Sequence, residues 1–86
     1  MSYAISFAGE AESDIDYLHR SDKKLFQRIL NKIESLQNIP LAGKPLVGNH
    51  AGEYSLRVGN YRIIYEPDHT ERIIYILTIK HRKRVY

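Results

Sequence analysis

Two arginines, Arg57 and Arg62, flank Gly59-Asn60 in the stretch YSLRVGNYRIIYE, residues 54–66. A two-residue link containing glycine, set between runs rich in β-branched and aromatic residues, marks a tight hairpin. With Gly59 and Asn60 as the loop, Val58 faces Tyr61, Arg57 faces Arg62, Leu56 faces Ile63, Ser55 faces Ile64, Tyr54 faces Tyr65 and Glu53 faces Glu66. Alternation sends Tyr54, Leu56, Val58, Tyr61, Ile63 and Tyr65 to one face, which must be the packed one. Glu53, Ser55, Arg57, Arg62, Ile64 and Glu66 share the other. Like charges directly opposite each other destabilise a sheet. Two guanidinium forks instead become favourable when a phosphate lies between them. The bland alternative is two side chains splayed into water and partly neutralised by Glu53 and Glu66.

The chain ends on KHRKRVY, residues 80–86, directly after RIIYILTI, residues 72–79. The latter is apolar on both faces, as suits a strand inside a sheet. If the chain stays extended, Lys80, Arg82 and Arg84 share one alternate set and converge on the face of Arg57 and Arg62. Lys83 adds charge, and Tyr86 supplies an aromatic ring. Cations for phosphate beside a ring for a base suit single-stranded RNA or DNA. Taken by itself, such a basic run is more often a solvated tail.

The elements that must carry these residues follow from periodicity. Residues 3–7 alternate as a short strand. Ala8, Ala11, Ile15 and Leu18 are spaced as the stripe of a first helix, whose acidic residues Glu10, Glu12, Asp14 and Asp16 suit its N-terminal half and otherwise read as solvated surface. A Ser/Asp cap at residues 21–22 opens a second helix with the stripe Leu25, Phe26, Ile29, Leu30, Ile33 and Leu36. Residues 38–52, rich in glycine and proline, read as a loop. Strands follow over 53–58, 61–66 and 72–79. The order β-α-α-β-β-β implies an α+β fold: a small, mostly antiparallel four-stranded sheet with a two-helix hairpin on one face. Eighty-six residues make one domain, 1–86.

Composition narrows the partners. Thirteen Lys/Arg against ten Asp/Glu give +3, and all of that excess lies after residue 50, which points to an anionic partner. There is no cysteine, and the four histidines lack metal-ligand spacing, so neither disulfide nor metal is expected. No apolar run is long enough for a bilayer, and the first residues lack a signal peptide's basic and apolar segments, implying a cytoplasmic protein without a membrane partner.

The segments GKPL (43–46), YSLRVGNYRIIYE (54–66) and HRKRVY (81–86), with the helical pair before them, resemble the RelE/ParE superfamily of toxin–antitoxin toxins, most nearly the RelE-type messenger-RNA interferases. The resemblance implies a ribosome-dependent endoribonuclease that needs no cofactor and cleaves mRNA in the A site through attack by the mRNA's own 2′-hydroxyl. It implies Arg62 and Arg82 as phosphate-binding catalytic arginines and Tyr86 as the ring that stacks on the base. Arg57, Lys80, Lys83 and Arg84 would hold RNA through charge. Where the best-studied branch carries two lysines, this chain has Glu53 and Ser55. The general base or acid is therefore left among Lys44, His81 and Glu53, with His50 more remote. The implied partners are a RelB-like cognate antitoxin, the ribosome and mRNA. Two alternatives share the fold: a ParE-type poison of DNA gyrase, and a degenerate toxin that only binds its antitoxin. Tyr86, held from one side only, is expected to order on RNA binding.

Overall fold

The computed structural model describes the backbone of residues 2–84 and the side chains of residues 2–83. Strand β1 (Ala4–Phe7) leads into helices α1 (Gly9–Ser21) and α2 (Lys23–Ser35), followed by strands β2 (Lys44–Pro45), β3 (Tyr54–Val58), β4 (Tyr61–Asp68) and β5 (Ile73–His81). Short 3-10 turns occupy Gly48–His50 and Arg82–Arg84. The sheet order is β1-β5-β4-β3-β2, with β1 parallel to β5 and every other pair antiparallel.

Both helices lie on one face, as their stripes require. Ala11 and Leu18 of α1, Ile29 and Ile33 of α2, and Leu36 pack in one core with Leu56, Val58, Ile63, Tyr65, Ile74, Ile76 and Ile79 of the sheet. Asp22 makes the sharp corner between the helices. Its own N–H donates to Leu18 O at 2.9 Å, and its carboxylate accepts from Leu25 N at 3.1 Å. Asp22→Ala removes that N-terminal cap and should cost about 1 kcal/mol, read as a lower urea midpoint with an unchanged slope.

The β3–β4 hairpin has the register expected of its turn, from Val58 opposite Tyr61 to Tyr54 opposite Tyr65. Gly59 has φ 59° while Asn60 does not enter the positive-φ region. A positive φ at the first central position alone is the requirement of a type II′ turn, which glycine meets without strain.

Three features depart from the expected layout. The sheet has five strands, because Lys44–Pro45 pairs with Ser55 and Tyr54 inside the stretch expected to be all loop. Two residues, one of them a proline, give no periodicity to detect, and proline is tolerated at a sheet edge. Strand β4 runs on through Pro67 to Asp68. Its neighbour β3 has already begun pairing only at Tyr54, opposite Tyr65, so one side of β4 is open at Pro67 and an absent N–H is tolerated. Finally, the extended chain stops at His81. Arg82 N donates to Asn60 O at 2.7 Å, and the ladder has no further partner strand. The backbone tightens into the 3-10 turn, so Lys80, Arg82 and Arg84 do not share the alternate set expected of an extended end.

Candidate nucleic-acid interface

The face of the sheet opposite the helices carries its side chains in rows. Arg57, Arg62 and Lys80 form one row across β3, β4 and β5. Lys44, Ser55, Ile64 and Thr78 form the next, across β2 to β5. Successive rows lie about 7 Å apart, two residues along a strand. Ile64 is fully buried although it belongs to the face away from the helices and not to the helix-side core. An apolar floor therefore lies beside the half-buried Arg62, and charge interactions strengthen where water is displaced.

No carboxylate among the described residues pairs with Arg57 or Arg62. The ion pairs there are His50–Glu53, Lys80–Glu10 and Lys80–Asp14. Glu53, expected to help neutralise the arginines in the bland alternative, instead lies 3.2 Å from His50 Nδ1. No carboxylate among the described residues therefore offsets the two cations that face each other in the ladder.

Lys80 stands opposite Arg62 in the ladder, but its ammonium is held by Asp14 Oδ1 at 2.7 Å and Glu10 Oε2 at 3.0 Å. The hydrogen bond to Asp14 foremost, then that to Glu10, pushes its pKa above the ordinary lysine value. It remains a cation at neutral pH and cannot serve as a base. The acidic helix is therefore not merely solvated surface, as its composition suggested.

The remaining candidates divide by position. Arg82 is exposed, and its backbone is tied to the hairpin turn that joins the two arginine-bearing strands. Lys44 is exposed on β2 opposite Ser55, on the open face. Glu53 is half-buried at the start of β3. His81 pairs with Tyr61 across the ladder, with their rings 5.5 Å apart edge to face. Since Tyr61 packs on the core, His81 lies on the helix side, away from the arginine pair. There it lines a groove of about 700 Å³ with Asp14, Tyr17, Leu18, Tyr61, Ile79, Lys80 and Lys83. This concavity meets the arginine row only at Lys80, and nucleic acid binding to a flat sheet needs no cavity. Lys83 is exposed. Tyr86, and the side chain of Arg84, lie outside the described residues.

Periodicity gave no hint of what holds Lys44. Tyr65 is fully buried, and its hydroxyl accepts from Gly43 N and donates to Pro40 O, both at 2.9 Å. Burial pushes this phenol above its ordinary pKa, so it stays a donor. A Cβ at Gly43 would meet Tyr65 Oη at 2.8 Å and Ser55 O at 2.9 Å. Only glycine permits this close approach, which seats Lys44 beside β3.

A family model described as the ParE toxin of type II toxin–antitoxin systems matches residues 5–86. Toxin RelG of Mycobacterium tuberculosis is 32% identical over 88 residues, spanning 100% of this chain and 98% of RelG. Among solved structures, the toxin–antitoxin complex RelBE2 of Mycobacterium tuberculosis contains a chain with a TM-score of 0.82 and 30% identity, covering 95% of this chain and 100% of that one. A heterotetrameric YoeB–YefM toxin–antitoxin complex of Staphylococcus aureus gives 0.78 and 29%, covering 94% and 98%.

Proposed function

The chain belongs to the ParE toxin family of type II toxin–antitoxin systems, in the superfamily that also holds the RelE and YoeB toxins, and we propose that this member is a ribosome-dependent endoribonuclease that cleaves mRNA and so stops translation. The observation that carries this reading is the facing Arg57–Arg62 pair, without a carboxylate partner among the described residues, on a sheet face left open by the helices. That arrangement costs stability, and an anion bound between the two forks would offset the cost.

In the proposed reaction the 2′-oxygen of one nucleotide attacks the adjacent phosphorus and the bond to the 5′-oxygen breaks. The products are a 2′,3′-cyclic phosphate and a 5′-hydroxyl. Arg62 and Arg82 offset the extra negative charge of the five-coordinate transition state. A base takes the 2′-hydroxyl proton, and an acid supplies one to the leaving oxygen. Lys44 and Glu53 are the better placed candidates for these proton transfers, since His81 lies on the other side of the sheet. Tyr86 stacks on the base and turns the ribose towards in-line attack. Arg57, Lys83 and Arg84 hold RNA by charge, and Lys80 contributes less because Asp14 and Glu10 already neutralise it. The protein acts in the cytoplasm, with a RelB-like antitoxin as its neutralising partner. Support for that partner is the relatives' structures as toxin–antitoxin complexes.

The second reading, a poison of DNA gyrase, is favoured by the family model's ParE description. Inducing the protein in cells and mapping RNA ends separates the two. The proposed function predicts cuts within codons of translated messages. Intact messages together with gyrase-dependent DNA breaks would decide for the second reading, and neither effect at high expression would leave a protein that only binds its antitoxin.

A further inference from the structure

Strand β5 outruns its outer neighbour. Pairing with β1 ends at Phe7 opposite Ile76, after which the chain turns away into α1, the last backbone bond being Ala8 N to Ile76 O at 2.9 Å. Residues 77–81 of β5 therefore have no strand on that side. A buried or half-buried backbone N–H left there without a partner would cost stability. Asp14, on α1, supplies the missing acceptor. Its Oδ2 takes the N–H of Ile79 at 2.9 Å while Oδ1 takes the Lys80 ammonium at 2.7 Å. Glu10, one helical turn earlier, adds its own contact to Lys80 at 3.0 Å. On the inner side, Arg82 N is bonded to Asn60 O at 2.7 Å. The end of β5 is thus gripped from both flanks within four residues, just where the chain delivers Arg82.

We infer that Asp14 is a positioning residue: by standing in for the absent strand and holding Lys80, it sets where Arg82 stands relative to Arg62. This rests on the proposed ribonuclease function. It touches no substrate itself, and its effect passes through the backbone of residues 79–82. A shift of about 1 Å in a group that stabilises a transition state can cost about a hundredfold in rate.

The test combines cleavage kinetics on programmed ribosomes with amide hydrogen exchange, at a temperature where circular dichroism shows every variant folded. Asp14→Ala should lower the single-turnover cleavage rate about ten- to a hundredfold with ribosome affinity unchanged, and should speed exchange at Ile79 and Arg82. Asp14→Asn, which keeps an acceptor for Ile79 but loses the charge, should fall between it and the wild type, and covers the case of a poorly folded alanine variant. The decisive comparison is with Arg82→Ala. In that background Asp14→Ala should cost nothing further, because the group it positions is gone. An equal loss in both backgrounds, or unaltered cleavage by Asp14→Ala, would overturn the inference. If the wild type leaves mRNA whole, it is the ribonuclease function that fails. The exchange measurement then still decides whether Asp14 holds this segment, and unchanged exchange at Ile79 and Arg82 sinks that part too.

Discussion

Arg62→Ala is expected to lower mRNA cleavage about 10²–10³-fold while leaving the protein as stable as before or slightly more so. The two halves of this result have one cause. Arg62 has no carboxylate partner among the described residues and faces Arg57 across the ladder. Its removal breaks no ion pair and relieves a like-charge contact worth at most about 1 kcal/mol. A structural residue on a central strand behaves in the opposite way, since its loss destabilises the fold. Arg62→Lys keeps the charge but loses the planar fork, so it should recover only part of the rate. Arg57→Ala relieves the same repulsion, yet should cost less activity because Arg57 is exposed and Arg62 half-buried. Cleavage on programmed ribosomes and thermal unfolding of the same preparations check both halves. Wild-type cleavage by Arg62→Ala would remove the central support for the proposed chemistry. A large drop in melting temperature would assign Arg62 to the fold instead.

What could be read from the chain is what short-range rules govern. Gly59-Asn60 admits few turn geometries, so the turn determined which residues face each other, and the Arg57–Arg62 pair followed at once. The helical stripes worked for the same reason: Leu18, Ile29, Ile33 and Leu36 are buried where spacing alone puts them. Contacts between distant segments left no such trace. Nothing near Asp14 signals that its carboxylate meets Ile79 and Lys80, 65 and 66 residues away. The turn after His81 was likewise invisible, because it depends on where β4 and its hairpin turn happen to end. The pairing of His50 with Glu53 is local, only three residues apart, but in a loop no periodicity predicts which side chains converge.

The largest effect on stability is expected at Tyr65, which joins the core to the loop bearing Lys44. Tyr65→Phe keeps the ring among its core neighbours but leaves Gly43 N without its acceptor and Pro40 O without its donor. Unsatisfied buried groups cost about 1–3 kcal/mol. A domain of this size has roughly 4–13 kcal/mol in total, so the loss is a sizeable fraction of it. It should appear as a fall in melting temperature of about 4–8 °C for each kcal/mol. Tyr65→Ala adds a cavity and should cost about 3–5 kcal/mol, enough to unfold much of the population. Comparing the two variants by urea denaturation separates the hydroxyl's contribution from the ring's. If Tyr65→Phe melts like the wild type, water has replaced the hydroxyl and the tether is not what holds the loop. If it is destabilised as expected, the loop that carries Lys44 is fixed from beneath the sheet by a phenol on the helix side. The open face then owes its shape to the core on which it lies: Arg62 and Tyr65 are three residues apart on β4, one on the face away from the helices and the other anchoring the strand that borders it.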